Sequence, residues 1–312
     1  MFASDCKMND TLCSIVICSH NRSELLMQTV NNISKNTNIP DDFELHIILN
    51  ACSDDSRNRL LSFQECKQLR IFIHEESKAG KSYALNYAIA NIKTGYFFFL
   101  DDDQLLKENY LEQLGEILNN NKRCKILTGY LMPAWDGSEP EWVHNPVQFR
   151  IPIRPFPEFD LGEQQKVLSD DDRLPSGGNI IVNQDVFKIV GYFNEEFGPR
   201  GHDLAGGEDH EFIKRALNKG FCIEYYPELK QWHQIEHDRM SYKYMFIKGY
   251  KRSFSALSMK NDIRFRPYML RKVISYLMRF AFCFNSSIRM FYWVKSAAAL
   301  GELSATLKAR NK

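Results

Sequence analysis

No two cysteines of this 312-residue chain form a CxxC pair, and the eight present are scattered along it. That spacing excludes a zinc ribbon and gives no sign of a disulfide framework. It predicts reduced, buried thiols in a cytosolic protein. The opening Met1-Phe2-Ala3-Ser4-Asp5 has no basic region followed by an apolar one, so no signal peptide is expected. Apolar runs of membrane-spanning length are also missing. Val273 to Phe284 is broken by Arg279, and Met290 to Leu300 by Lys295. There is no internal repeat, which excludes a solenoid or propeller. There is no nucleic-acid-binding motif either, so no nucleic acid partner is expected.

What the chain does have is an ordinary globular composition, 44% hydrophobic and 25% charged, long enough to bury a sizeable core. Its net charge of +1 hides a strong polarity. From Arg239 to Lys312 there are 16 Lys and Arg against two acids, Asp262 and Glu302, or +14. Residues 1–238 hold 24 bases and 37 acids, or −13. An acidic body suits cation binding. A basic tail interleaved with Tyr, Phe, Met and Leu suits helices lying on an anionic membrane surface, with a packed helical subdomain as the plainer reading.

Strand and helix signals alternate through the first half. Apolar runs at Leu12–Cys18, Leu45–Leu49, Leu69–Ile73 and Ile126–Leu127 predict strands. Periodic apolar positions predict helices over Arg22–Ile33, Ser82–Ile92 and Leu111–Leu118. Tyr96-Phe97-Phe98-Phe99-Leu100 is too apolar for a half-exposed strand and reads as a central one covered on both faces. This alternation implies βαβ units and a parallel sheet, with ligands at the carboxyl ends of the strands. From Pro133 to Pro175 seven prolines break the pattern, predicting a long loop that could serve as a lid or binding wall. Regularity resumes with a strand at Asn179–Val182, a helix from Glu208 to about Asn218, and a strand over Phe221–Tyr226.

Two acidic islands carry the chemistry. Asp101-Asp102-Asp103 follows the apolar run, and Gly206-Gly207-Glu208-Asp209 opens the later helix. Either island alone also fits helix capping or complementing of a helix dipole. Carboxylates at the end of a buried strand need partners, and hard divalent cations paired with phosphates are the usual ones. A separate carboxylate at a helix start can act as a base. Together they point to metal-assisted transfer of a group from a phosphate-bearing donor.

Placed in order, these segments resemble the family 2 glycosyltransferases over roughly Leu12 to Tyr250. Ile15-Val16-Ile17-Cys18-Ser19-His20-Asn21-Arg22 looks like the family's first strand and nucleotide-contacting turn. Asn50-Ala51-Cys52-Ser53-Asp54-Asp55 looks like its second, with Leu49 and Asn50 where members often carry an acid. Gly80-Lys81 with Ala84-Leu85-Asn86, Asp101-Asp102-Asp103, Ser176-Gly177-Gly178-Asn179, Gly207-Glu208-Asp209 with Arg215, and Trp232-His233 with Arg239 follow at the family's spacing.

The resemblance implies an α/β, GT-A fold: a Rossmann-like, mostly parallel sheet flanked by helices. Residues 1–238 would form this catalytic domain, and 239–312 a helical, basic, membrane-associating extension. It implies an inverting, metal-dependent transferase that moves a sugar from a nucleotide-sugar, a UDP-sugar, to a hydroxyl of a glycan or lipid-linked acceptor. Asp209 would be the general base, with Glu208 beside it on the acceptor. Ser19, Asn21, Arg22, Asn50, Asp54, Gly80, Lys81, Asp101, Asp102 and Arg239 would contact the donor. Gly177, Gly178 and Asn179 would contact the acceptor. Mn²⁺ or Mg²⁺ would sit on Asp103, with Asp101 or His233 as further ligands. The protein is expected on the cytoplasmic face of a membrane, as a peripheral protein. A sugar-phosphate nucleotidyltransferase competes, but it would want a glycine-rich phosphate loop where Ser19-His20-Asn21-Arg22 stands. A non-catalytic, membrane-bound sugar-nucleotide-binding protein competes too, against intact Asp101–Asp103 and Glu208-Asp209.

Overall fold

The computed structural model describes residues 11–63, 69–121, 123–144, 149–169, 171–199, 206–258 and 264–310. The chain divides into two compact units. The first comprises Met1–Met132, Phe159–Gly201 and Glu208–Gln234, and the second Pro133–Glu158, His202–Gly207 and Ile235–Lys312.

The first unit is a mixed α/β sheet flanked by helices. Its elements in chain order are β1 (Cys13–Ser19), α1 (Ser23–Ile33), β2 (Phe43–Asn50), α2 (Ser56–Phe63), β3 (Arg70–Glu76), α3 (Lys81–Asn91), β4 (Tyr96–Asp101), β5 (Gln104–Leu106), α4 (Tyr110–Asn120), β6 (Ile126–Pro133), β7 (Lys166–Val167), β8 (Asn179–Asn183), α5 (Gln184–Val190), α6 (Glu208–Asn218) and β9 (Ile223–His233). Strands run in the order β3-β2-β1-β4-β8-β6-β9-β5, with β7 beside β9. The central β3-β2-β1-β4 group is parallel, as crossover helices of this length require. The later strands pair antiparallel: β8 with β4 and β6, and β9 with β5 and β7.

β4 lies between two apolar layers, as its composition predicts. Phe98 and Leu100 join Ile15, Ile17, Leu26, Val30, Leu45 and Leu114 on one face. Phe97 and Phe99 join Ala84, Ile180, Phe187, Phe193, Phe212 and Ile213 on the other. Phe98 stacks on Tyr110, and Phe99 meets Phe187 and Phe193 edge-on. Full burial of each such ring stabilises by about 2–3 kcal/mol. Periodicity explains the helices: Leu26, Val30 and Ile33 of α1, and Phe212, Ile213 and Ala216 of α6, are the buried positions. The short helices α2 and α5 carry weak apolar patterns and are not evident in the sequence.

One expectation is corrected. Cys124 and Cys222 form a disulfide with Cα atoms 5.4 Å apart, so these two are not reduced thiols. Cys124 lies two residues before β6 and Cys222 one before β9, and these strands are neighbours in the sheet. A separation of 98 residues hides that proximity from any reading of spacing. Cys13, Cys18, Cys52 and Cys283 are free.

The second unit is helical, with α7 (Tyr242–Ser258), α8 (Tyr268–Phe282) and α9 (Ser286–Arg310). Trp142, Val143, Ile151, Phe156, Met240, Met245, Met290 and Val294 form its main core. Helices α7 and α9 approach closely through Gly249, which faces Ala297 and Val294, and Gly301, which faces the Tyr250 carbonyl. Among the described residues no helix is long and apolar enough to cross a membrane.

Gly129 of β6 tests the packing between neighbouring strands. A Cβ there would lie 2.6 Å from the Leu229 Cβ and inside the Leu229 carbonyl oxygen. Gly129→Ala should therefore cost about 1–3 kcal/mol, read as a lower midpoint in urea unfolding with unchanged slope.

Candidate active site

β1, β2 and β4 are parallel, so their carboxyl ends lie side by side. Ser19 ends β1, Asn50 ends β2, and Asp101 ends β4 with Asp102 and Asp103 in the turn beyond. Antiparallel β8 pairs Leu100 with Asn179. That register carries Gly178 to the same edge, opposite Asp101.

Each acid of the first island has a cationic neighbour. Arg22, just before α1, spans two of them, with Nη1 2.5 Å from Asp102 Oδ1 and Nη2 2.7 Å from Asp103 Oδ2. Ser19 Oγ donates to Asp102 Oδ2 at 2.6 Å. Burial pushes the Asp102 carboxyl up to about 6, against the lowering influence of Arg22 and Ser19. Lys81, the first residue of α3, pairs with Asp101. Burial alone would lower the Lys81 pKa. The charges of Asp101, Glu208 and Asp209 outweigh it and raise it well above the ordinary range, so the ammonium stays charged.

The second island lies beside the first. Gly177 N–H donates to Asp209 Oδ2 at 2.7 Å. A Cβ on Gly177 would sit 3.0 Å from the Asp209 Cβ, and one on Gly178 would sit 2.6 Å from the Asp101 Cγ. Two consecutive glycines thus run between acids 108 positions apart in the sequence, and side chains there would push them away. Burial by itself would raise the Asp209 pKa. The His210 side chain, the Lys81 charge and the Gly177 N–H hold it well below the usual carboxylate range. Glu208 is buried at the first position of α6, near Gly198.

Several sequence-nominated residues support the site's walls. Asn50 Oδ1 accepts from Gly80 N–H at 2.7 Å, and its amide donates to the Lys78 and Glu76 carbonyls. Gly80 has a φ of 142°, which suits glycine, and it opens α3 behind Lys81. Asn21, at φ 51°, accepts from the Ser53 and Asp54 N–H groups. Asp54 accepts from the N–H groups of Ser23 and Ser56, tying the starts of α1 and α2. Asn179 is fully buried, and its side chain bonds both the N–H and the carbonyl of Gly129. Arg215 pairs with Glu211 and donates to the Val190 and Tyr192 carbonyls. Lys78 lies over the Tyr83 ring, 3.7 Å from its centroid. Arg239 belongs to the second unit, where it pairs with Glu236 and lies over the Phe156 ring.

Sequence reading missed Gln104 and Gln231. Both are fully buried. Gln231 Nε2 donates to the Gly178 carbonyl at 2.7 Å and to Gln104 Oε1 at 3.2 Å, and Gln104 Oε1 also accepts from Asp101 N–H. They link the two-glycine strip to the first acid. No local pattern marks them: β5 has three residues and β9 mixes charged and apolar positions.

Asp103 and His233 fit a divalent cation. His233 Nδ1 lies 2.7 Å from the Gln234 carbonyl, which can only accept, so Nδ1 carries the proton. Nε2 then faces Asp103 Oδ1 at 3.2 Å. Two acceptors at that separation need a proton or a cation between them. Adjacent ligands of an octahedral ion with bonds of about 2.1 Å lie roughly 3 Å apart. Among the described residues no group of three His, Cys, Asp or Glu forms a metal site. Mg²⁺ is commonly held by one or two carboxylates completed by phosphate oxygens and water, a role Asp103 suits.

Comparison with known proteins identifies the family and the fold. A family model described as Glycosyl transferase family 2 matches residues 14–190. The poly(ribitol-phosphate) beta-N-acetylglucosaminyltransferase TarP of Staphylococcus aureus (strain N315) is 30% identical over 118 residues, 38% of this chain and 36% of TarP. The UDP-Glc:alpha-D-GlcNAc-diphosphoundecaprenol beta-1,3-glucosyltransferase WfgD of Escherichia coli is 29% identical over 115 residues, 36% of this chain and 44% of WfgD. The matched segments span about half or less of the length of such curated relatives. The crystal structure of S. aureus TarS 1–349 in complex with UDP-GlcNAc superposes with a TM-score of 0.53 at 12% identity, covering 96% of this chain and 92% of that one. The shared fold is that of the GT-A glycosyltransferases.

The depressed Asp209 pKa carries a stability consequence. Its folded pKa lies below the unfolded value of about 3.9, so its contribution is complete above that pH and is lost as pH falls through the folded value. Asp209→Asn should lower the unfolding free energy near neutral pH by about 1–3 kcal/mol. Urea titrations from neutral pH down to about 3 should show the gap to wild type closing below about pH 4.

Proposed function

Because the chain belongs to glycosyltransferase family 2, we propose that it moves a sugar from a UDP-sugar to a hydroxyl of a glycan or lipid-linked acceptor, with inversion and metal assistance. The observation that carries this reading is the Gly177–Gly178 strip, which holds Asp101 and Asp209 at one site. A donor-side carboxylate group and an ionised base are thereby brought together.

Each residue then has a role. Asp209 accepts the proton of the acceptor hydroxyl as its oxygen bonds to the anomeric carbon and the bond from that carbon to the diphosphate breaks. It is ionised at neutral pH, and the Gly177 N–H holds one of its oxygens in place. Lys81 faces Asp101, Glu208 and Asp209 and meets the diphosphate as a point charge. Arg22 holds Asp102 and Asp103 in place. Asp103 and His233 would hold Mn²⁺ or Mg²⁺, and that ion would neutralise charge on the departing diphosphate. The backbone beside Gly177 and Gly178 leaves room for an acceptor sugar.

The activities of the relatives support the finer points. WfgD takes UDP-Glc and an undecaprenol diphosphate-linked acceptor, and it forms a β linkage. Glucose in UDP-Glc is α-linked, so a β product means inversion. TarS was crystallised with UDP-GlcNAc. The +14 charge of residues 239–312 fits a peripheral protein working at an anionic membrane surface.

Two variants test the assignment. Asp209→Asn should cut turnover on the order of 100-fold or more while leaving UDP affinity nearly intact. Near-normal transfer by this variant would move the base to Glu208. In calorimetry, Asp103→Ala and His233→Ala should each abolish the increase in UDP affinity that Mn²⁺ brings. An unchanged increase in both would remove the ion from this pair.

A further inference from the structure

Helix α8 is apolar on two faces, and the protein itself covers one. Met269 and Val273 pack against Ala299 and Leu303 of α9. Leu270, Ile274, Leu277, Met278 and Phe282 fall at helical spacing on the adjoining face, within an arc of about 140° at 100° per residue. These five are exposed, Ile274 at 57% and Phe282 at 75%, and Phe284 in the turn beyond is 99% exposed. Eight of the fifteen strongly exposed large apolar side chains among the described residues lie between Phe265 and Phe284. Helices α7 and α9 expose such residues only singly.

Charge identifies what covers this face. Residues 264–289 contain six Lys and Arg and no acid. Arg271, in the first turn of α8, falls inside that arc and Arg279 about 60° beyond it, and both are exposed. Arg279 lies over the Tyr292 ring, and Arg289 over the Phe280 ring. Cations are thus held next to aromatic rings at the border of an apolar strip, the arrangement of a helix lying in a lipid interface. A second copy docking through the same face would set these like charges against one another. Fifteen residues make a helix of about 22 Å, too short to span a bilayer.

We propose that α8 and the turn after it dock the protein on an anionic bilayer. Leu270, Ile274, Leu277, Met278 and Phe282 sit below the headgroups, Phe284 is the leading anchor, and Arg271 and Arg279 lie at headgroup level. This refines the membrane-surface reading given above, assigning contact to one helix face, and it does not depend on sugar transfer.

The test uses the full chain and vesicles of phosphatidylcholine with or without about 30% phosphatidylglycerol. Wild type should pellet with the anionic vesicles, less so in about 0.5 M salt. Ile274→Glu with Met278→Glu, and Phe282→Ser with Phe284→Ser, should each reduce partitioning by about tenfold or more. UDP binding by calorimetry should match wild type in both. The emission that Phe284→Trp adds to that of the four native tryptophans should be blue-shifted and quenched by brominated lipid. Pelleting of both double variants at the wild-type level, absence of wild-type pelleting, or an indole emission that brominated lipid leaves unquenched would overturn the proposal. So would a concentration-dependent dimer in sedimentation velocity that Ile274→Glu with Met278→Glu dissolves, since the face would then be a self-interface. If transfer or UDP binding failed while vesicle docking persisted, the catalytic reading would fall and this one would stand.

Discussion

A strand buried on both faces can place polar groups only at its ends, and this constraint organises the first unit. Tyr96 to Leu100 occupies the centre of the sheet, so Asp101, Asp102 and Asp103 emerge together where the chain leaves the core. Three neighbouring carboxylates with low exposure repel one another and lose hydration. The fold answers with Arg22 from the start of α1 and Lys81 from the start of α3. The same charges that make this cluster tolerable are the ones a diphosphate and its counter-ion would use.

The antiparallel strand β8 adds the second requirement. Its pairing with β4 delivers Gly177 and Gly178 to the acid cluster, and the Gly177 N–H grips Asp209. Only residues without a Cβ can pass between the two acids, so glycine here answers to space and not to backbone φ. Gln104 and Gln231 fix the strip from behind. Asn179, although part of the same motif, spends its side chain on Gly129. Within one four-residue segment, then, the two glycines line the site and the asparagine anchors it.

The second unit follows another logic. Its helices α7 and α9 meet through small residues, and their packing leaves α8 covered on one face only. Amphipathicity read from the sequence could not separate these cases. Apolar residues on a helix look alike whether a neighbouring helix or a lipid surface covers them.

Local signals made much of the fold legible. Apolar runs marked β1, β2, β3, β4 and β8, and helical spacing marked α1, α3, α4 and α6. Short α2 and α5 escaped because seven or eight residues give too few apolar repeats to register. Motif order singled out Asp101–Asp103 and Glu208-Asp209, two islands at element boundaries that the fold brings to one site.

By itself, then, the sequence determined the alternation that builds the parallel half of the sheet, the family, and the acids on which the chemistry would rest. Each depends on residues close together in the chain. Tertiary structure decided that Arg22 spans Asp102 and Asp103, that Lys81 meets Asp101, and that Asp103 also meets His233. It also decided that Asp54 and Asn179 tie the scaffold, that Cys124 meets Cys222, and that one helix face stays uncovered. Those outcomes join residues many positions apart. They follow from strand order and register, which set distances in space that spacing along the chain does not encode.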